Sequence, residues 1–178
     1  RELEEVVREL RKLVTEDLDR VRKSVEESER VVREDERRVD ESVKRTREIA
    51  DEVRRLKEEG VDESRLRELL KRVEDMNRES LKRSEDSLKR LHERNRKSLK
   101  ESRDSLEEAE RRVEDVRRRG VDEEELKKVL KEVRKVVTDS ERRDKEANRK
   151  VEEVIRRSKK KDEDAHREVR KVVEDVRT

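Results

Sequence analysis

The chain has 178 residues, of which 61% are charged, 26% are hydrophobic and none is aromatic. That composition excludes a large conventional core and any aromatic platform on which nucleic-acid bases could stack. Lys and Arg number 55 against 53 Asp and Glu, a formal net charge of +2 with both signs interspersed, so no basic stripe is available for a phosphate backbone and no nucleic-acid partner is expected.

Cys is absent, which removes disulfides, thiolate catalysis and Cys-ligated zinc and leaves the redox compartment open. No apolar run approaches a membrane span or a signal-peptide core, so a soluble chain is expected, with no membrane partner and no Sec-type address; its localisation is unknown, cytoplasmic only in the sense of recombinant expression. So polar a chain could remain unfolded. Balanced charge and a near absence of helix breakers, 2 Gly and 0 Pro, favour a folded helical protein instead.

From the N-terminus, the first helix is predicted near residues 2–59. Its inward seam runs Val14, Asp17, Val21, Ser24, Val25, Ser28, Val31 and Val32, then repeats eighteen residues later as Asp35, Val39, Ser42, Val43, Thr46, Ile49 and Ala50. Next comes "GVDES" from Gly60, and sixty residues on "GVDEE" from Gly120. Two like punctuation marks imply three similar segments. Gly60 and Gly120 suit the left-handed position past a helix C-terminus, and Asp62 and Asp122 suit the N-cap of the helix that follows. Val61 can staple to Leu66 and Val121 to Leu126, while Glu125 completes a capping box with Asp122. Arg117, Arg118 and Arg119 complement a C-terminal helix dipole.

The second helix, predicted at 63–119, carries the near-repeats "NRESLKRSEDSLKRL" from Asn77 to Leu91 and "NRKSLKESRDSLEEA" from Asn95 to Ala109. These place Asn77, Ser80, Ser84, Ser87 and then Asn95, Ser98, Ser102, Ser105 at equivalent positions, with His92 between them. In the third helix, predicted at 123–177, Ser140, Asp144 and Asn148 map onto Ser158, Asp162 and His166. Eighteen residues make five turns at about 3.6 residues per turn, and 18 is the sum of a heptad and a hendecad whose supercoil drifts cancel. The fold class expected is therefore all-α: a long, nearly straight antiparallel three-helix bundle, up-down-up, each helix on the order of 80 Å, forming one domain over 1–178. Glu107 with Arg111, Glu123 with Lys127 and Glu152 with Arg156 stand in the favourable i, i+4 order.

Apolar seam residues, such as Leu3, Val7, Leu10, Leu56, Leu66, Leu70, Val113, Val116, Leu126 and Leu130, gather at the ends, and polar ones between. With antiparallel partners summing to about 120 for the first two helices and about 240 for the last two, Ser24, Asn95 and Asp144 share a level. So do Ser28, His92 and Asn148, and Ser42, Asn77 and Asp162, with Thr46 and His166 one turn on. Buried hydroxyls, amides and carboxylates must find partners, since each left unpaired costs about 1–3 kcal/mol. A slipped register strands them together, so alignment is their expected purpose. The plainer alternative is that Ser80, Ser98 and similar serines rotate outward at the seam edge and keep the surface polar.

Chemical sites are weak beside this. His92 and His166 share no helix face at i, i+3 or i, i+4, so no metal site and no cofactor are expected. Ser28 with His92 could mimic part of a nucleophile pair, but no strained elbow or oxyanion nest accompanies them, and no catalytic residue is expected. Lipid-surface binding lacks aromatic anchors.

The repeat in every helix, the duplicated loops and caps and the Glu, Lys and Arg surfaces resemble de novo designed, parametrically generated three-helix bundles with buried hydrogen-bond networks. The resemblance covers the whole chain and implies a structural scaffold of high stability with no natural substrate and no enzymatic activity. The polar share of the central seam exceeds what such bundles usually carry. The alternative is a spectrin-like or other coiled-coil spacer that recruits a helix or self-associates. A monomer with no partner is expected under the first reading, and a concentration-dependent dimer under the second.

Overall fold

The computed structural model describes residues 2–120 and 123–178. Three helices account for nearly all of them: α1 (Glu2–Glu59), α2 (Glu63–Arg118) and α3 (Glu123–Arg177). No strand occurs among the described residues. Nothing inside these stretches opposes a helix, because Pro is absent and both Gly stand between helices.

The turns show how the helices stop. Gly60 follows α1 with φ +109°, in the left-handed region that costs glycine no side-chain clash. Asp62 then caps α2: its Oδ1 accepts the Ser64 N–H at 3.1 Å and the Arg65 N–H at 3.4 Å, and its carbonyl accepts the Leu66 N–H at 3.0 Å. Val61 keeps 47% of its surface exposed, whereas Leu66 is fully buried. α2 ends at Arg118, one residue before the predicted Arg119. The amides of Arg119 and Gly120 reach back three residues to the carbonyls of Val116 and Arg117, each at 3.1 Å, and this tightening ends the α-helical pattern before Gly120 turns out with φ +84°. Val121 and Asp122 lie outside the described residues, and with them the second cap, its staple and its capping box.

Contacts gather in two compact units, each drawing on all three helices. The first joins α1 up to Glu29 with Leu91–Lys150, and the second joins Arg30–Arg90 with Val151–Thr178. In the first unit Val6 and Leu10 of α1 meet Ala109, Val113 and Val116 of α2 and Leu126, Val133 and Val137 of α3. In the second, Ile49, Ala50 and Val53 meet Leu66, Leu69 and Val73, and Val169, Val172, Val173 and Val176. Full burial of one such Val, Leu or Ile contributes about 1.5–3 kcal/mol, so these two clusters carry most of the drive to fold.

Cross-helix ion pairs reveal the directions of the chain within each unit. In the first, Glu9 with Arg112, Arg20 with Glu101 and Glu27 with Arg94 ascend α1 while descending α2, and Arg103 with Glu141 and Glu110 with Arg134 do the same for α2 and α3. In the second, Glu52 with Arg65 joins α1 to α2, and Glu85 with Lys159 and Glu63 with Arg177 join α2 to α3 in antiparallel order. Most of these side chains are half exposed, and such pairs contribute about 0.2–1 kcal/mol each. No helix among the described residues is long and apolar enough to cross a membrane.

Candidate functional site: two buried polar networks

Polar side chains hold the interior where the apolar clusters stop. In the second unit, Asp35 is 2% exposed on the inner face of α1. Its Oδ1 accepts the Ser84 hydroxyl from α2 at 3.0 Å and the guanidinium of Arg38, one turn along α1. Arg38 then spans the helix pair. Its Nη2 also donates to Ser84 Oγ at 2.7 Å, and its Nη1 donates to the Ser80 carbonyl at 2.7 Å and to Ser80 Oγ at 3.3 Å. A planar fork with several donors suits this task, because one cation satisfies two residues on the neighbouring helix while compensating a buried carboxylate.

The first unit contains a counterpart. Asp17, fully buried, accepts the Ser102 hydroxyl through Oδ1 at 2.6 Å and the guanidinium of Arg20, whose Nη2 lies 3.3 Å from Ser102 Oγ. Asp17, Arg20 and Ser102 stand eighteen residues from Asp35, Arg38 and Ser84 respectively. One partner differs. Arg20 pairs with Glu101 at 3.3 Å, and the position eighteen residues before Glu101 holds Arg83, which offers no carboxylate. Arg38 reaches Ser80, whereas the matching Ser98 hydroxyl is buried without a partner.

α1 and α3 are tied by a second kind of bond. Ser24 donates to Asp144 Oδ1 in the first unit and Ser42 donates to Asp162 Oδ1 in the second, each at 3.0 Å. These carboxylates have no arginine one turn along: Ala147 and Ala165 occupy the places that Arg20 and Arg38 fill in α1. Asp-x-x-Arg against Asp-x-x-Ala is thus the sequence signal that separates the two kinds. Spacing alone marked the aspartates but not Arg20 and Arg38, whose charge and length read as surface.

Among solved structures, the chain is similar to one described as a computationally designed three helix bundle, with 21% identity, a TM-score of 0.59, and coverage of 98% of this chain and 88% of that one. The chain has the three-helix-bundle fold. No family model and no curated protein matches it.

The other inward polar positions of the bundle fall into groups. Ser28 is buried, and its hydroxyl donates to the Ser24 carbonyl at 3.0 Å. Thr46, Ser80 and Ser158 are buried, as are Ser98 and Ser140. Ser42, Asn77, Ser87, His92, Asn95, Ser105, Asn148 and His166 are half-buried. Several interior atoms lack a partner: Oδ2 of Asp17, Asp35 and Asp144, Oδ1 of Asn77 and Asn95, the hydroxyls of Ser98 and Ser140, and His166 Nε2. Burial holds the His166 imidazole below its ordinary pKa; Arg170 adds to this, and Glu74 and Asp162 oppose it.

Among the described residues, no three His, Asp or Glu side chains gather as a metal site would require. An open groove of about 660 Å³ runs between α2 and α3 of the first unit over Val113, Leu126 and Leu130. Its rim mixes Glu107, Glu110 and Glu114 with Arg111, Arg117, Lys127 and Arg134, so both signs of charge border it.

Proposed function

We propose that this protein is a designed structural scaffold, with no natural substrate and no catalytic chemistry, in which buried polar networks select one alignment of three helices. The observation that carries the reading is the duplication. The same three residue types, bonded through the same atoms, join α1 to α2 in each unit. Ser–Asp bonds of equal length join α1 to α3 in each. An eighteen-residue layer repeat accounts for both, because equivalent positions five turns apart face the same way. The likeness to a computationally designed bundle supports the same origin.

Energetics favour alignment over raw stabilisation. A buried carboxylate and its partners recover little more than their desolvation cost, so replacing them with well-packed apolar groups is often neutral or stabilising. Slipping one helix by a turn would strand Asp17, Asp35, Ser84 and Ser102 together, at about 1–3 kcal/mol for each unpaired group. Apolar seams carry no such penalty. The test replaces both networks, as Asp17→Leu with Ser102→Ala and Asp35→Leu with Ser84→Ala. The variant is expected to retain helicity and most of its thermal stability but to give multiple amide resonances or a concentration-dependent mass. A single set of resonances from a monomer with unchanged helix pairing would overturn the assignment of register control to these residues.

A further inference from the structure

Four of the unpartnered interior atoms belong to one region of the first unit. The hydrogen bonds there define the register: Asp17 stands opposite Ser102, and Ser24 opposite Asp144. Carrying that register along the helices brings Asn95 of α2 to the level of Ser24 and Asp144. Ser98 and Ser140 lie three and four residues away from Asn95 and Asp144, hence within about one turn, or 5.4 Å, on the faces that look inward. Asp144, Ser98 and Ser140 are all more than nine-tenths buried.

The chemistry of the four atoms is complementary to one kind of guest. Asp144 Oδ2 and Asn95 Oδ1 are acceptors that require donors, and the Ser98 and Ser140 hydroxyls can donate. We propose that this level is a binding site for buried water. A water molecule has two protons for the carboxylate and the amide oxygen and two lone pairs for the hydroxyls, so one molecule, or two in a chain, can satisfy the set. A bare cation would satisfy the oxygens but leave the hydroxyl protons without acceptors. Ammonium would bring four donors to a set that already holds two.

The site belongs to the first unit only. At the corresponding positions of the second, Ser80 Oγ accepts from Arg38, and of Asn77, Ser80, Ser158 and Asp162 only Asn77 holds a buried atom without a partner. In the first unit Arg20 pairs with Glu101, and the Ser98 hydroxyl is left for the guest. Two repeats of nearly the same sequence therefore differ in hydration.

Oxygen-17 magnetic relaxation dispersion counts long-lived internal waters in the intact protein. The count is expected to fall by at least one in an Asn95→Leu, Asp144→Leu variant, which removes both acceptors and fills their space, and to stay unchanged in Asp162→Leu, at the corresponding position of the second unit. An unchanged count in the first variant would overturn the proposal, as would a count that changes when sodium chloride is replaced by choline chloride. Should the first variant fail to fold, high-resolution diffraction from the unaltered chain decides. Ordered density within 3.5 Å of both Asp144 Oδ2 and Asn95 Oδ1 supports the site, whereas Ser98 and Ser140 hydroxyls bonded to the carbonyls four residues earlier, with no such density, refutes it.

Discussion

Arg38 is the residue whose loss should reach furthest, because its guanidinium serves Asp35, Ser84 and Ser80 at once. Lysine keeps the charge but has a single nitrogen, so Arg38→Lys is expected to lower unfolding stability by about 1–3 kcal/mol, measured by urea denaturation. Ser84→Ala removes one donor to a carboxylate and should cost about as much; a double-mutant cycle between the two sites would show coupling, since both act on Asp35. His166 reports on pH. Its folded pKa lies below its ordinary 6.5, so the unfolded chain binds the proton more readily. Stability is full above the unfolded value and falls as pH drops through it. Thermal melts should therefore show a decline below about pH 6.5 that a His166→Gln variant lacks. Asp19 acts in a separate window: Lys23, by hydrogen bond and charge, and then Arg22 hold its carboxyl below 3.8, so its contribution disappears only in stronger acid. At this scale the inward spacing of Asp17, Ser24, Asp35 and Asp144 is legible in the sequence. The partnership of Arg20 and Arg38 is not, because an arginine at a seam edge can as readily extend into water.

The elements themselves are the most legible part. Uninterrupted helix formers and two Gly-Val-Asp-Glu phrases suffice to place three helices within a residue of their observed ends, since Gly60, Asp62 and Gly120 act through local backbone chemistry that needs no tertiary context. The single-residue difference at Arg118 arises from three-residue backbone bonds, which side-chain patterns do not encode. Gly120 offers a clean test. A methyl group built on it meets nothing within 4 Å, so Gly120→Ala should pay only for its positive φ. That cost is about 1–2 kcal/mol, a fall in Tm of about 2–8 °C for a chain of this length. In the second unit Leu69 lies within the apolar cluster, fully buried, and Leu69→Ala is expected to cost about 2–5 kcal/mol by the same measurement.

For the molecule as a whole, the scaffold reading expects a monomer. Sedimentation equilibrium at high micromolar concentration should give the mass of one chain, 21.7 kDa, and twice that mass would favour a self-associating rod. Large hydrophobic side chains at the surface are few: Leu18 and Val61 are the exposed ones among the described residues, and they stand in different units. Glu101 and Arg83 occupy matching places in α2 with opposite charges, and Arg20 pairs with Glu101 whereas Arg38 donates to Ser80. It follows that the wiring is exchangeable. Arg83→Glu should draw Arg38 off Ser80 and leave that hydroxyl thirsty, while Glu101→Arg should send Arg20 toward Ser98. A single ionic group on a neighbouring helix would then toggle between two circuits assembled from identical parts.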